Sequence, residues 1–325
     1  MRKITQRFFS CLALLCLLLS GACAEETEQV KKTLDGLGIA YTEDVKVVPL
    51  SPPETVPEMR TERIRFNRKK TKELIEKYCL PKKKGESWVC EIHSRLNPDY
   101  ELYFCEENGL YGSISIDVFS PPVPLDESDE GLCRANETVR NFLDELGIAY
   151  EYPFYLVEPY RGFSNEETNL VWFTVRLPME GIPCNTTIGW TKDSDGTGNG
   201  DATPGAFFIA TRDGQLTMAI IRNPVNVVST KEDPTPVKNW DEVLRENLRD
   251  VEYFSHSRED EATMTLKCVQ FVMMVDAHDN AYPAWAFCYD RHVSKDRESP
   301  ASPPYTYDLL LTYNAKTGHR VWCWP

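Results

Sequence analysis

"LDGLGIAY" (Leu34–Tyr41) and "LDELGIAY" (Leu143–Tyr150) are nearly the same phrase, 109 residues apart in one chain. Extended to Val30–Tyr41 and Val139–Tyr150, the two copies share eight residues of twelve. Val30, Leu34 and Leu37 fall at helical spacing, as do Val139, Phe142, Leu143 and Leu146. Gly38 and Gly147 stand where a helix C-cap takes a left-handed residue, and Ile39 and Ile148 supply the apolar contact after the cap. The phrase therefore predicts a helix that ends, turns and feeds a strand: "VKVVPL" in the first copy, "PFYLVEP" in the second. It is a structural signature, not a catalytic one.

The rest of the chain fits the same grammar. A helix is expected over Lys69–Tyr78 with Asn67 as its N-cap, followed by strand-like runs "SWVCEIHS", "YELYFCE" and "YGSISIDVF". After the second copy come "NLVWFTVRLP", "GAFFIATR" and "QLTMAIIRNP", with Arg212–Gln215 ("RDGQ") as a hairpin turn. A third helix, "NWDEVLRENLRDV", carries Val243, Leu244, Leu248 and Val251 on one face. The chain closes with "MTLKCVQFVMMV", "YPAWAFCYD", "YDLLLTYNA" and "HRVWCWP". The expected class is α+β: tandem units of a helix packed on an antiparallel β-meander, in two layers. The expected division is an N-terminal helix-plus-sheet domain over 25–120, a proline- and acid-rich linker over 121–134, and a C-terminal domain over 135–325 with sub-units split near 229–238.

Residues 1–22 have the form of an export signal: Arg2, Lys3 and Arg7, an apolar core over Leu12–Leu19, then Ser20, Gly21 and Ala22. The apolar run is too short to span a bilayer. "LSGAC" resembles a lipobox, with Cys23 acylated and anchored in the cell membrane, the protein facing outward. "ACA" offers the other outcome, cleavage before Glu25 and a secreted protein. Loss of the leader leaves 33 basic residues against 50 acidic, a net of −17. Such a chain repels phosphate backbones, so nucleic acid is excluded as a partner. The basic run Arg65–Lys84 reads either as the solvated face of a helix or as a footing on anionic lipid or polymer.

Eight cysteines follow Cys23, an even number suited to disulfides in an oxidising compartment. Spacing favours two cross-strand pairs. A hairpin about Asn97-Pro98-Asp99 would bring Cys90 to Cys105, and one about His278 would set Cys268 opposite Cys288. Buried thiols packed as small apolar groups are the alternative.

"PAWAF" (Pro283–Phe287), then "YDLLLTYNAKTG" (Tyr307–Gly318), resembles the ending of a lipoprotein family of anaerobic Firmicutes in which a P-x-W-x-F strand precedes one ending NA-x-x-G. "RLPMEGIP" (Arg176–Pro183) resembles the R-x-x-x-G-I-P turn of the same proteins. The wider relatives are PepSY-like modules and the YycH/YycI extracytoplasmic regulators. That resemblance implies small helix-plus-sheet units that bind or restrain other proteins, and it implies no catalytic residues.

Chemistry-bearing candidates are few. "TKDSDGTGNGDATPG" (Thr191–Gly205) places Asp193, Asp195, Asn199 and Asp201 in a glycine-rich loop, the oxygen donors a calcium ion takes. The same residues are also ordinary turn formers, and Pro204 stands where an EF-hand needs its glutamate. None of the five histidines sits in H-E-x-x-H, and no G-x-S-x-G, S-x-x-K, C-x-x-C or P-loop occurs. Trp285, Trp322 and Trp324 either fill the core or line a groove for peptide or sugar. The leading expectation is a non-enzymatic exported protein binding a protein or peptide partner at the envelope. A carbohydrate or wall-polymer binder and a secreted hydrolase are the alternatives.

Overall fold

The computed structural model describes residues 27–79, 89–91, 101–105, 123–124, 128–152, 154–156, 169–183, 205–222, 224–255, 260–276, 278–296 and 303–324. Within them the chain is a mixed α+β fold built on two large sheets.

Both copies of the repeated phrase fold as their glycines require. Helix α1 (residues 27–37) ends at Gly38, whose φ is +70°; Gly38 N–H reaches Asp35 O (3.1 Å) and Ile39 N–H reaches Leu34 O (3.1 Å). Helix α3 (Glu130–Leu146) ends at Gly147, φ +78°, with Ile148 N–H on Leu143 O (3.2 Å). A backbone turned left-handed returns its amides to the last carbonyls, which would otherwise be unpaired. The tyrosine closing each phrase ties the turn down. Tyr41 donates to Asp35 (3.0 Å) and Tyr150 to Asp144 (2.9 Å), the same bond at equivalent positions. Val30, Leu34, Val139, Phe142 and Leu143 are all buried beneath their helices.

Sheet 2 lies under α3. Its order is β3 (Val89–Glu91), β4 (Glu101–Cys105), β11 (Leu216–Arg222), β10 (Gly205–Thr211), β7 (Leu170–Val175), β6 (Tyr155–Leu156), β5 (Val123–Pro124). Val171, Phe173, Val175, Phe208, Ala219 and Ile221 share a core with α3 and with Leu74 and Ile75 of α2 (Arg68–Tyr78). The alternate residues Trp172, Phe207, Ile209, Met218 and Ile220 are also buried, so both faces of this sheet are covered, which explains why its strands read as apolar runs rather than as alternation. The β10–β11 turn falls at Arg212–Gln215 as expected, with Gly214 at φ +90°. Asp129 caps α3 by accepting from the N–H groups of Gly131 (2.9 Å) and Leu132 (3.1 Å), and it holds Arg212 of that turn at 2.6 Å. The Arg212 guanidinium, with those two amides, lowers the Asp129 pKa.

Sheet 1 runs β1 (Tyr41–Val48), β13 (Asp260–Val275), β14 (Asn280–Asp296), β15 (Tyr305–Asn314), β16 (Arg320–Trp324). An arm of β2 (Glu58–Arg63) and β12 (Val225–Lys231) joins through β14. Phe271, Trp285, Phe287, Tyr289, Leu311 and Tyr313 form its main core with Val30 and Leu34 of α1 and with Trp240, Val243 and Val251. A register shift between Leu266 and Cys268 inserts one residue, which moves the inward positions from Met264 and Leu266 to Val269, Phe271, Met273 and Val275. The opposite face, with Cys268, Val272, Met274, Ala284, Ala286, Cys288 and Leu310, is buried as well.

Three expectations change. First, the sheets are not divided at 121–134. Sheet 1 takes strands from 41–63 and 225–324, and sheet 2 from 89–124 and 155–222. The apolar stripe of α1 is buried against β13–β15, so β1 follows it to that sheet and pairs β13 in parallel. Second, the end of the expected linker is helical, because Asp129 starts α3 at Glu130. Third, the "NWDEVLRENLRDV" helix is two: α4 (Trp240–Glu246) and α5 (Leu248–Ser255). Asn247 breaks it, its amide donating to Val243 O (2.8 Å) and Gly318 O (2.9 Å). In the β3–β4 ladder Cys90 stands opposite Phe104 and Cys105 opposite Val89. Cys268 and Cys288 are directly opposed register partners, yet the structure forms no disulfide between them, and both pack in the apolar cluster with Val272 and Leu310.

Gly36 and Gly147 separate two effects of glycine. A Cβ at either would meet nothing within 4 Å, but only Gly147 has positive φ. Gly147→Ala is expected to destabilise by about 1 kcal/mol through left-handed strain. Gly36→Ala, inside α1, is expected to stabilise by roughly 0.5–1 kcal/mol. Urea midpoints of the two variants shifting in opposite directions check this.

Candidate functional site

"PAWAF" (Pro283–Phe287) and "NAKTG" (Asn314–Gly318) come together. Asn314 to Gly318 form the turn between β15 and β16. Asn314 Oδ1 accepts from the N–H groups of Lys316 (2.9 Å) and Thr317 (3.0 Å), and Gly318 closes the turn at φ +77° with its N–H on Asn314 O (2.8 Å). A Cβ at Gly318 would meet only the movable ends of the Glu246 and Lys238 side chains, so it is the positive φ that calls for glycine there.

From this turn bonds run to three distant segments. Ala315 N–H donates to Pro283 O (2.9 Å), and Ala315 O accepts from Lys238 N–H (2.8 Å). The Trp285 indole donates to Lys238 O (2.9 Å). Lys316 extends its ammonium to Val56 O and to Asp233, a pair in which both side chains are largely shielded. Lys316, together with the Thr235 hydroxyl and amide, holds the Asp233 carboxyl far below the usual carboxylate range. Lys238 in turn pairs with Glu246 at 2.6 Å. "PAWAF" and "NAKTG" thus stitch residues 232–239 and the loop after β1 onto sheet 1. Residues 229–238 run along that sheet, with Val237 N–H on Glu54 O (2.9 Å), rather than parting two sub-units. "RLPMEGIP" forms a two-residue hairpin between β8 (Pro178–Met179) and β9 (Ile182–Pro183), Glu180 and Gly181 both having positive φ.

Trp285 does not face a ligand. It is fully buried, edged by Phe271, and its one polar atom is spent on Lys238. The register of β16 sets Trp322 beside Thr312 and Trp324 beside Leu310. A groove for peptide or sugar therefore loses Trp285, one of the three tryptophans offered for it. Cys23 and the loop residues Asp193, Asp195, Asn199 and Asp201 lie outside the described residues. His278, His292 and His319 are exposed. Among the described residues no group of His, Cys, Asp and Glu could hold a metal ion, and no helix is long and apolar enough to cross a membrane.

Sequence reading passed over the β2–β12 arm. β12 pairs with β2 from Val225↔Arg63 to Lys231↔Glu58. Val225 and Val227 pack against the core of sheet 1, while every residue from Val228 to Lys231 is exposed, Val228 by 52%. The register shifts between Val227 and Ser229, which leaves Val228 without a partner position on β2. Among the described residues β12 has no strand on its other side, so a row of backbone donors and acceptors faces outward. The alternation in "VNVVSTK" was the available signal, but it lies between two prolines and next to a polar run that reads as a linker.

Comparison with protein-family models and with curated proteins returns no match.

Asp233→Asn is expected to lower the thermal midpoint at pH 7 by removing the charge that Lys316 engages. A carboxyl with depressed folded pKa stabilises the fold above its unfolded value near 3.9 and loses that contribution as pH falls toward the folded value. The gap between variant and parent should therefore begin to narrow below about pH 4 and close only as pH nears the folded value, so thermal melts should show a smaller difference at pH 3 than at pH 7.

Proposed function

We propose that this chain is an exported, non-enzymatic cell-surface protein that captures a protein or peptide partner at the envelope by strand addition along β12. The observation that carries the reading is the outward edge of β12. An extended peptide laid there gains main-chain hydrogen bonds from the edge and side-chain contacts from the exposed Val228 and its neighbours. At about 3.3 Å per residue, the seven residues of β12 match a peptide of six or seven residues. The bulge at Val228 discourages pairing with an arbitrary strand and favours one shaped to it.

The leader, the lipobox-like Cys23 and the acidic charge support export and an outward-facing lipid anchor. The resemblance to envelope lipoproteins and to PepSY-like and YycH/YycI modules supports a role in binding or restraining another protein. Matching caps and Tyr–Asp bonds in α1 and α3 support descent of both from one duplicated helix-plus-strand unit, with tandem helix-on-meander units as the ancestral plan.

Val228→Asp places a charge on an exposed position with no β2 partner, so stability should change by no more than about 0.5 kcal/mol. A photo-cross-linker at Asn226 in living cells is expected to give one discrete adduct in the parent and none in V228D. An adduct indifferent to that substitution, or equally strong from a cross-linker on the exposed face of α2, would defeat the strand-addition reading.

A further inference from the structure

The way β2 spends its backbone decides which groups of β12 are left over. Thr61 N–H donates to Asp279 O on the β14 side (2.8 Å), whereas Ile64 N–H donates to Pro224 O on the β12 side (2.7 Å). Bonding direction alternates along an antiparallel strand, so Glu62 turns toward β12, as Ile64 does, and meets its register partner Asn226. Asn226 therefore directs its N–H and C=O to β2. Val225 and Val227, one step to either side, direct theirs to the open edge. The same two valines carry side chains that pack, partly buried, against the core of sheet 1, while Asn226 is exposed on the outer face.

Free backbone and apolar side chain thus belong to the same residues, and this sets the chemistry of what can be added. We propose, resting on the strand-addition reading, that β12 selects a segment in which two β-branched apolar residues flank one hydroxyl-bearing residue. A valine–threonine–valine triplet running antiparallel to β12 is the simplest case. Each apolar residue lies directly opposite Val227 or Val225 and exchanges main-chain bonds with it. Its side chain then stands beside that valine on the core face, covering the flank that leaves the valine partly exposed. The middle residue falls opposite Asn226 as a non-hydrogen-bonded pair, the closer kind, and its hydroxyl meets the Asn226 amide on the solvent side. Past Val227 the register shift at Val228 breaks the two-residue spacing, so the triplet is read at the Val225–Val227 end.

The probe is a synthetic peptide, KGTVTVTGK, added to the full chain, with KGTSTSTGK as a control of equal charge. In the free protein, amide exchange is expected to be fast at Val225 and Val227 and slow at Asn226. The valine peptide should slow exchange at Val225 and Val227, and the serine peptide should bind more weakly by about tenfold or more. N-methylation of either peptide valine should abolish that protection. N-methylation of the threonine between them should leave it, because that amide points away from β12. Equal binding by the two peptides, binding by neither, or a block by the threonine methyl group in place of the valine ones would overturn the triplet. If the triplet fails while the cross-linked adduct at Asn226 stays discrete in cells, the strand-addition reading stands without it. If that adduct is missing as well, both fall.

Discussion

Sheet 1 has two apolar faces, and the rest of the molecule is arranged to cover them. Phe271, Trp285, Phe287, Tyr289 and Tyr313 on one side, and Cys268, Val272, Met274 and Leu310 on the other, are each less than a tenth exposed. A fully buried aromatic or aliphatic side chain contributes about 1.5–3 kcal/mol when it leaves water, so an uncovered face of this size would not be tolerated. The strands that present it come from the last quarter of the chain, whereas α1 and β1 come from the first. Long loops must therefore close before the core forms, and their entropy is recovered only when α1 lands on β13–β15.

That constraint accounts for the stitching. A segment such as 232–239, rich in proline and charge, has too little apolar surface to hold itself against a sheet. Lys316, Ala315 and Trp285 do it through backbone carbonyls and one carboxylate. Asn247 shows the same economy: by breaking one long helix into α4 and α5, its amide satisfies a helix carbonyl and a turn carbonyl together. The residues that make those joints lie in "PAWAF" and "NAKTG".

What the sequence made legible was local. Gly38, Gly147, Asn67 and the Arg212–Gln215 turn act over a few residues through φ angles and caps, and each took its expected conformation. The His278 hairpin was legible for the same reason: Asp276 and Asp279 set its turn, and once the turn is fixed the Cys268–Cys288 register follows. Partner choice between distant strands was not. Apolar runs buried on both faces carry no alternation to say which neighbour they want, so the pairing of β1 with β13 and of β4 with β11 left no trace in spacing. Trp285 illustrates the limit at a single residue. An aromatic near the end of a chain can be a binding platform or a core anchor, and only the position of Lys238 O, 47 residues away in sequence, decides it.

The β12 edge is the place where this economy stops. Among the described residues β12 pairs only with β2 and carries its polar backbone outward beside Val228. Such an edge is a hazard, since it can recruit any extended chain. Two features limit the hazard without closing the edge. The bulge between Val227 and Ser229 twists the strand away from a flat template, and Lys231 sets a charge at its end, paired only loosely with Glu58 at 3.4 Å. A chain under pressure merely to stay soluble could have paired or shortened this strand. On the strand-addition proposal, an edge that is long, exposed and bulged would favour one shape of partner over the many that a plain edge would accept.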